Sequence, residues 1–347
     1  MRCTVRGFAC ATVALIAVAP GLFDSCSAFA TVEEIAAPDL RPPQLMNIRA
    51  VSPNSFELLF DEPAQIAADQ SLLEPTRGVL TCSNGTTIVT VTCERSMEPG
   101  ACYLFEATAA DAGGNCLSFM AHVYGLNANP AEVRINEFIT NGTTTHPDLV
   151  ELAVTSDGSL AGVCLALGTP DDWDARIVLP DVAVTAGEFV LVHCKSSGDA
   201  AEVDEISDRA ASGGLDASPD AWDYWMPEGT GLSANNGVMT LAVSPDGETI
   251  DAVIYSNRTS ESDDRYRGFG STRMLDWVDS VVADGAWRID GELARPEDAV
   301  NPADSTSTRS ICRASNSADT DSRSDWHIVP TRGATFGGVN IDDVYVP

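Results

Sequence analysis

The segments Val133-Arg134-Ile135-Asn136-Glu137-Phe138 and Asp148-Leu149-Val150-Glu151-Leu152 open a series of short apolar runs that extends from residue 132 to residue 340. The runs Ala186–Val192 and Leu232–Met239 continue the series, and Pro330-Thr331-Arg332-Gly333 closes it. Each run has the length of a β-strand and is bounded by polar or turn-forming residues. The pattern therefore predicts an all-β domain, and no catalytic motif interrupts it.

This series, together with Asp325-Trp326, resembles the lamin-tail domain, an immunoglobulin-like sandwich found in nuclear lamins and in exported bacterial proteins. The resemblance implies a lamin-tail-like domain over residues 132–347, with long insertions at about 195–234 and 257–307. Neither insertion shows sustained helical periodicity, and loops of this length inside compact domains are usually functional or disordered. The resemblance identifies a module without identifying a reaction.

Residues 42–126 show a second set of short strand-like runs, among which Asn84-Gly85 marks a hairpin because both residues tolerate positive φ. About seven short strands at this spacing predict a second sandwich. The segment is similar to a bacterial Ig-like domain, on Val51-Ser52-Pro53, Phe56–Pro63, Pro99-Gly100, Tyr103, Asp111 and Gly114-Asn115. The predicted architecture is all-β, with two Ig-like β-sandwiches in tandem.

Residues 1–30 have the pattern of an export signal peptide, with two early arginines, an apolar run over residues 8–18 and Ala28-Phe29-Ala30 at the cleavage position. An alternative is lipidation of Cys26, whose surroundings partly fit a lipobox. Both alternatives predict an extracytoplasmic protein, and the apolar run is too short to span a membrane comfortably.

The net charge is -31, from 20 basic and 51 acidic residues, and Lys195 is the single lysine. A strongly negative chain repels phosphate backbones and anionic membrane surfaces. Nucleic-acid binding, with which lamin-tail domains are sometimes credited, is therefore not expected here.

Seven cysteines follow residue 30, four of them in the first predicted sandwich. In an oxidising compartment, four clustered cysteines indicate two disulfides. The expected order of strands predicts the pairs Cys82–Cys116 and Cys93–Cys102, because each pair would share one end of the sandwich. The other three cysteines, which leave at least one thiol free or intermolecular, are Cys164, Cys194 and Cys312.

Several polar residues are of types that can act in catalysis or metal binding. His193 and Cys194 are adjacent in a strand and so point to opposite faces, which argues against a thiol–imidazole pair. Asn136, Glu137 and Glu151 are predicted to satisfy backbone amides rather than to act as acids. The weak metal candidates are Asp319, Asp321 and Asp325, whose oxygens suit Ca²⁺ although the segment lacks EF-hand spacing.

The aromatic residues of the two insertions are the predicted binding residues, because large aromatic side chains are enriched at binding hot spots. The alternative is that they cap the core. The residues concerned are Trp222, Tyr224, Trp225, Arg265, Tyr266 and Phe269.

The sequence therefore predicts a non-enzymatic exported or cell-surface protein that serves adhesion or envelope architecture through its loops, with a protein or glycan partner. No cofactor is predicted. Two alternatives stay open, namely an accessory domain of a secreted nuclease or phosphatase system and a calcium-stabilised surface module. A catalytic domain rich in His, Asp and Asn would need more chain than the two sandwiches leave.

The exported chain should begin at or near Thr31, because Ala28 and Ala30 supply the small side chains that signal peptidase accepts. The intact mass of the exported protein measures this position. A diacylated cysteine at position 26 would contradict it and establish the lipoprotein alternative.

Overall fold

The computed structural model describes residues 39–347, so the predicted signal peptide, its cleavage site and the alternative lipidation site Cys26 lie outside the described residues.

Sandwich 1, as we call residues 45–124, consists of two sheets around one core. Sheet A has the strand order β1-β2-β6-β5, and in sheet B both β3 and β4 pair with β7, which also pairs with β8. The strands are β1 (Leu45–Ser52), β2 (Ser55–Phe60), β3 (Gln65–Ile66), β4 (Leu72–Glu74), β5 (Leu80–Ser83), β6 (Ile88–Cys93), β7 (Cys102–Ala110) and β8 (Cys116–Tyr124).

The alternation of apolar and polar residues in β2 and β7 places one face of each strand in this core. Phe56 and Phe105, from opposite sheets, are both fully buried, and their ring centroids lie 5.0 Å apart in an edge-to-face arrangement. The hairpin predicted at Asn84-Gly85 is present, but its loop is longer than two residues. The Asn84 amide bonds the backbone of Ile66 through both its oxygen and its nitrogen, which holds β3 beside the hairpin.

Sandwich 2, residues 133–328, contains a six-stranded sheet, a four-stranded sheet and a two-stranded ribbon. The six-stranded sheet has the order β16-β15-β10-β9-β19-β20, the four-stranded sheet β13-β12-β17-β18, and the ribbon joins β11 to β14. The strands are β9 (Val133–Ile139), β10 (Leu149–Val154), β11 (Gly158–Ser159), β12 (Cys164–Gly168), β13 (Trp173–Val178), β14 (Ala183–Val184), β15 (Phe189–His193), β16 (Trp222–Trp225), β17 (Asn236–Ala242), β18 (Thr249–Ser256), β19 (Ile311–Arg313) and β20 (Trp326–Ile328).

The all-β prediction is confirmed, and each sandwich has its own core cluster with no residue in common. The two sandwiches touch through closely packed backbone: a Cβ added to Gly100 would lie 2.3 Å from the backbone nitrogen of Gly162. The side-chain amide of Asn127 donates to the carbonyl oxygens of Ser159 and Ala161, at 2.9 and 3.0 Å. Gly100 is therefore a position at which any side chain would push the sandwiches apart.

Both segments that were expected to be insertions, at about 195–234 and 257–307, contain regular structure that the sequence did not predict. Part of the first insertion forms β16, which pairs in parallel with β15. The second contains the helix α1 (Thr272–Ala283), whose N-terminus is capped by the Ser271 side chain accepting from Met274 N. The buried positions of α1 recur at helical spacing, so the periodicity was present but short; they are Met274, Trp277, Val278 and Val281.

Four 3-10 turns complete the secondary structure, at Ala68–Gln70, Ser260–Ser262, Pro296–Asp298 and Arg323–Asp325. Within the described residues, no helix is both long and apolar enough to cross a membrane.

The predicted disulfides Cys82–Cys116 and Cys93–Cys102 are not formed, and all seven cysteines of residues 39–347 are free thiols. The reason is the direction of the side chains. Cys93 is buried in the core of sandwich 1, whereas Cys102 is exposed on the outer face of β7, next to the inward-facing Tyr103. Cys82 packs against the core and Cys116 is exposed. Neither pair can reach disulfide geometry without turning a strand over.

A buried ion pair joins the two large sheets of sandwich 2. The Arg313 guanidinium on β19 bonds the Asp251 carboxylate on β18 at 3.0 Å, and both side chains have zero exposure. The same carboxylate accepts from Ile135 N at 2.7 Å, and Arg313 Nε donates to Ile135 O at 2.7 Å. The pair thus connects β18 to both β9 and β19.

Replacing Arg313 by methionine should lower the free energy of unfolding by about 3–5 kcal/mol, because it leaves the Asp251 carboxylate buried without its cation. The double variant Asp251→Asn, Arg313→Met should recover part of that loss. Urea unfolding measures both. The matched control is Arg49→Met, since Arg49 pairs with Glu57 at the surface and such pairs contribute roughly 0–1 kcal/mol. An Arg313→Met variant as stable as the control would contradict this role.

Candidate functional site

The outer face of the six-stranded sheet carries a row of side chains that are polar except for Leu191. Directly paired strand residues place one side chain from every strand on this face, in the order His327, Cys312, Glu137, Glu151, Leu191, Asp223. This polar row is covered by two segments without regular pairing to the sheet, residues 195–221 and residues 330–345. Because both faces of the sheet are covered, β10 is buried at every position.

The two glutamates of the polar row hold the segment 330–345 in place. Glu137 accepts from the backbone nitrogen of Thr335 at 3.0 Å and from its hydroxyl at 2.8 Å. Glu151 accepts from Gly337 N at 2.6 Å and from the Asn136 side chain at 2.7 Å. The prediction that these carboxylates satisfy backbone amides is confirmed by these bonds. Burial raises the pKa of Glu137; burial and the facing Glu137 together raise the pKa of Glu151 well above its ordinary value.

Cys312 and His327 form a thiol–imidazole contact that the sequence did not indicate. Cys312 Sγ lies 3.6 Å from His327 Nε2, and the same nitrogen lies 2.9 Å from the carbonyl oxygen of Ile341. Burial, together with the negative charges of Glu137 and Glu151, raises the pKa of the Cys312 thiol. The thiolate is the nucleophilic form, so this environment makes Cys312 a poor nucleophile.

His193 and Asp223 form a second buried pair, with Nε2 and Oδ1 2.7 Å apart and the Trp225 ring stacked on the imidazole at 3.7 Å. Asp223 Oδ2 accepts from Ser218 N at 2.8 Å. Two carboxylates from the first insertion accept from β16 itself: Glu205 from Asp223 N and Asp204 from Trp225 N, both at 2.8 Å. These bonds satisfy the edge of the sheet and fasten residues 195–221 to it.

The residues predicted to form an aromatic binding surface are largely buried, and two of them, Tyr224 and Phe269, belong to the core of sandwich 2. Tyr224 is fully buried, Trp225 is 8% exposed and Phe269 is 2% exposed. Trp222 is half-buried and packs against the same core. The Trp222 and Trp225 ring nitrogens and the Tyr224 hydroxyl have no hydrogen-bond partner among the described residues. Only Arg265 is exposed, and it lies over the ring of the half-buried Tyr266 at 5.0 Å.

The acidic residues considered for Ca²⁺ have cationic partners. Asp319 and Asp325 bond the buried Arg313 guanidinium, at 2.8 and 3.3 Å. Asp321 lies 3.7 Å from Arg288. The segment therefore completes the shell of carboxylates around Arg313.

A cleft of about 480 Å³ opens at one end of sandwich 2, and we call it the loop-end cleft. Its walls come from three connections: residues 142–148 between β9 and β10, residues 195–197 after β15, and Thr230 before β17. The side chains that line it include Thr144, Asp148 and Lys195. Unlike the polar row, this cleft is open to solvent.

The stability of sandwich 2 should depend on pH through the facing carboxyls Glu137 and Glu151. Their pKa values are raised in the folded state, so the folded state binds more protons than the unfolded chain above the ordinary value of 4.5. Their contribution to stability is therefore complete below about pH 4.5 and is lost as the pH rises through the folded pKa.

The variant Glu151→Gln should gain stability relative to the parent as the pH rises from 4.5 to 8, since it cannot ionise beside Glu137. Urea unfolding across this range gives the difference, and the exposed Glu132→Gln serves as control. A constant difference between parent and variant at all pH values would show that Glu151 does not titrate in this range.

Two solved structures resemble the chain distantly. One is titled "Crystal structure of the N-terminal part of the bacterial S-layer protein SbsC" and has a TM-score of 0.22 at 13% identity, covering 62% of this chain and 43% of that one. The other, a DUF4876 family protein from Bacteroides thetaiotaomicron VPI-5482, has a TM-score of 0.28 at 13% identity, covering 86% and 94%. At these TM-scores neither alignment supports a functional conclusion.

An uncharacterized protein of Treponema pallidum (strain Nichols) is 26% identical over 154 residues, which is 44% of this chain. The match spans 39% of that relative's length. A family model described as "TP_1001_2nd: protein second domain" matches residues 131–328. The match begins just before β9, ends with β20 and covers more than half of the chain. The chain therefore belongs to the TP_1001_2nd protein second domain family.

Proposed function

We propose that this protein is an exported, non-enzymatic binding or structural module of the cell envelope, which engages its partner through the loop-end cleft. The observation that carries the proposal is the use made of the buried polar groups. Two pairs suited to acid–base chemistry are enclosed and bonded to a covering segment, namely Glu137 with Glu151 and His193 with Asp223. The contact between Cys312 and the half-buried His327 is bonded to the segment 330–345 in the same way. A further pair, His146 with Asp216 at 2.9 Å, lies at the surface.

Enclosure matters because a catalytic group must reach its substrate within hydrogen-bond distance. His193 is 1% exposed and lies under Trp225, and Glu137 and Glu151 have zero exposure beneath residues 335–340. The carboxylate oxygens of the two glutamates already accept from backbone, hydroxyl and side-chain amide donors. These groups support a role in holding the loops to the sheet.

The loop-end cleft supports the binding part of the proposal, because it is concave and open to solvent, as ligand sites generally are. The sequence resemblance to exported lamin-tail domains and the predicted signal peptide support the proposed extracytoplasmic location. The alternative of an accessory domain in a nuclease or phosphatase system shares that location and differs in requiring an enzyme partner.

Immobilised protein should retain material from an envelope extract, and the cleft-filling variant Thr230→Arg should retain at least tenfold less. The matched control Thr81→Arg adds the same charge on exposed β5 of sandwich 1 and should retain as much as the parent. Quantifying the eluates by mass spectrometry and carbohydrate analysis measures this outcome.

Two results would contradict the proposal. One is turnover of nucleic acid or of a phosphomonoester that co-purifies with the protein and is lost in a cleft or row variant. The other is equal retention by Thr230→Arg and the parent. A rise in melting temperature with Ca²⁺ would instead support the calcium-stabilised alternative.

A further inference from the structure

The loop-end cleft contains a cation, Lys195, that forms no close ion pair with any of the described residues. Lys195 is the single lysine of a chain with 51 acidic residues, and its side chain is exposed. Among the described residues, no carboxylate oxygen lies within 4.0 Å of its ammonium group. The Asp148 carboxylate, which lines the same cleft, attracts the Lys195 ammonium electrostatically from beyond ion-pair distance.

The carboxylates nearest the cleft are committed to its walls. Asp148 accepts from Gly142 N at 2.7 Å and from Leu232 N at 2.8 Å, which joins the first wall to the third. Glu202 accepts from Ser197 N at 2.7 Å and also from the hydroxyls of Ser196 and Ser197. Gly231 N donates to Cys194 O at 2.9 Å. The walls are therefore held by internal bonds before any ligand arrives.

The groups that remain available are one ammonium and two hydroxyls. The hydroxyls of Thr144 and Thr230 have no hydrogen-bond partner among residues 39–347, and both residues are exposed in the cleft. Pro147 adds an apolar surface to the same cavity. An ammonium favours a carboxylate, and hydroxyls favour other hydroxyls or carbonyl oxygens.

We propose that the loop-end cleft binds a single carboxylated sugar residue, with its carboxylate at Lys195 and its ring hydroxyls at Thr144 and Thr230. The cavity of about 480 Å³ lies in the range of roughly 300–1,000 Å³ that small-molecule sites occupy. The net charge of -31 repels a chain with many acidic groups, so the fitting ligand carries an isolated or terminal acid sugar. This inference rests on the proposed function and names the chemical class of its glycan.

The single lysine makes a site-specific test available. Reductive methylation with ¹³C-formaldehyde labels only the Lys195 side chain and the terminal α-amino group, and it keeps the lysine charge. Titration with D-glucuronate should move the Lys195 resonance saturably and leave the α-amino resonance unmoved. D-glucose lacks the carboxylate and acetate lacks the hydroxyls, so each should bind at least tenfold more weakly.

Substitutions of Lys195 and Thr144 distinguish the contribution of the lysine charge to glucuronate binding from that of the cleft's shape and hydroxyl groups. Lys195→Met should weaken glucuronate binding at least tenfold, because it removes the charge-assisted bond. Lys195→Arg should retain most of the affinity. Thr144→Val should weaken binding severalfold at nearly unchanged size. Arg95→Met, an exposed arginine of sandwich 1, is the control and should bind as the parent does.

The inference is overturned if glucuronate causes no saturable shift, if acetate shifts Lys195 as strongly as glucuronate, or if Lys195→Met binds like the parent while retaining its melting temperature. The retention experiment with envelope extract distinguishes failure of the acid-sugar inference from failure of the proposed function. Capture that is lost in Thr230→Arg but unchanged in Lys195→Met would retain the cleft as the binding site and exclude the acid sugar as its ligand.

Discussion

The buried ion pair between Arg313 and Asp251 is the interaction on which the rest of sandwich 2 depends. Neither charge has contact with water, so each requires the other, and the carboxylate needs the additional donor Ile135 N. With Arg313 turned inward, its neighbour Cys312 must point outward, because successive strand residues alternate in direction. One inward contact therefore determines which side chains of β19 join the polar row on the opposite face.

That outer face explains why an acidic chain carries buried carboxylates. The segment 330–345 forms no strand, so its backbone amides must be satisfied by side chains. Glu137 and Glu151 accept from Thr335 N and Gly337 N, while Asn340 bonds the carbonyl oxygens of Asn136 and Arg313. Acceptors on the sheet thus take the place of a neighbouring strand. The result is a third layer held to the sheet by polar contacts. Beneath it, the carboxyl groups of Glu137 and Glu151 face each other on paired strands.

The loop-end cleft differs from this layer in one physical respect: some of its polar side chains form no hydrogen bond or close ion pair within the described residues. Asp148 and Glu202 hold the walls, whereas Lys195 and two threonine hydroxyls are left over. A site built on connections that are fixed to a rigid sheet can be positioned without a cost in loop ordering. The polar side chains of the row are used in hydrogen bonds within the fold, whereas those of the cleft are exposed to solvent. This difference is the reason for proposing that the cleft binds the partner.

The apolar runs of the sequence determined the strands, because each run buries its own face and needs only local composition to be recognised. They also predicted the structural role of Glu137 and Glu151. The helix α1 was predictable in principle from Met274, Trp277 and Val278, but three turns were too short to stand out. Tertiary structure alone decided which faces meet. Arg313 and Asp251 are 62 residues apart. Cys93 points into the core of sandwich 1 while Cys102, on the other sheet, points away from it. β16 draws Tyr224 and Trp225 into burial by pairing with β15. Such contacts join segments that are distant in the sequence, so a local sequence pattern cannot predict them.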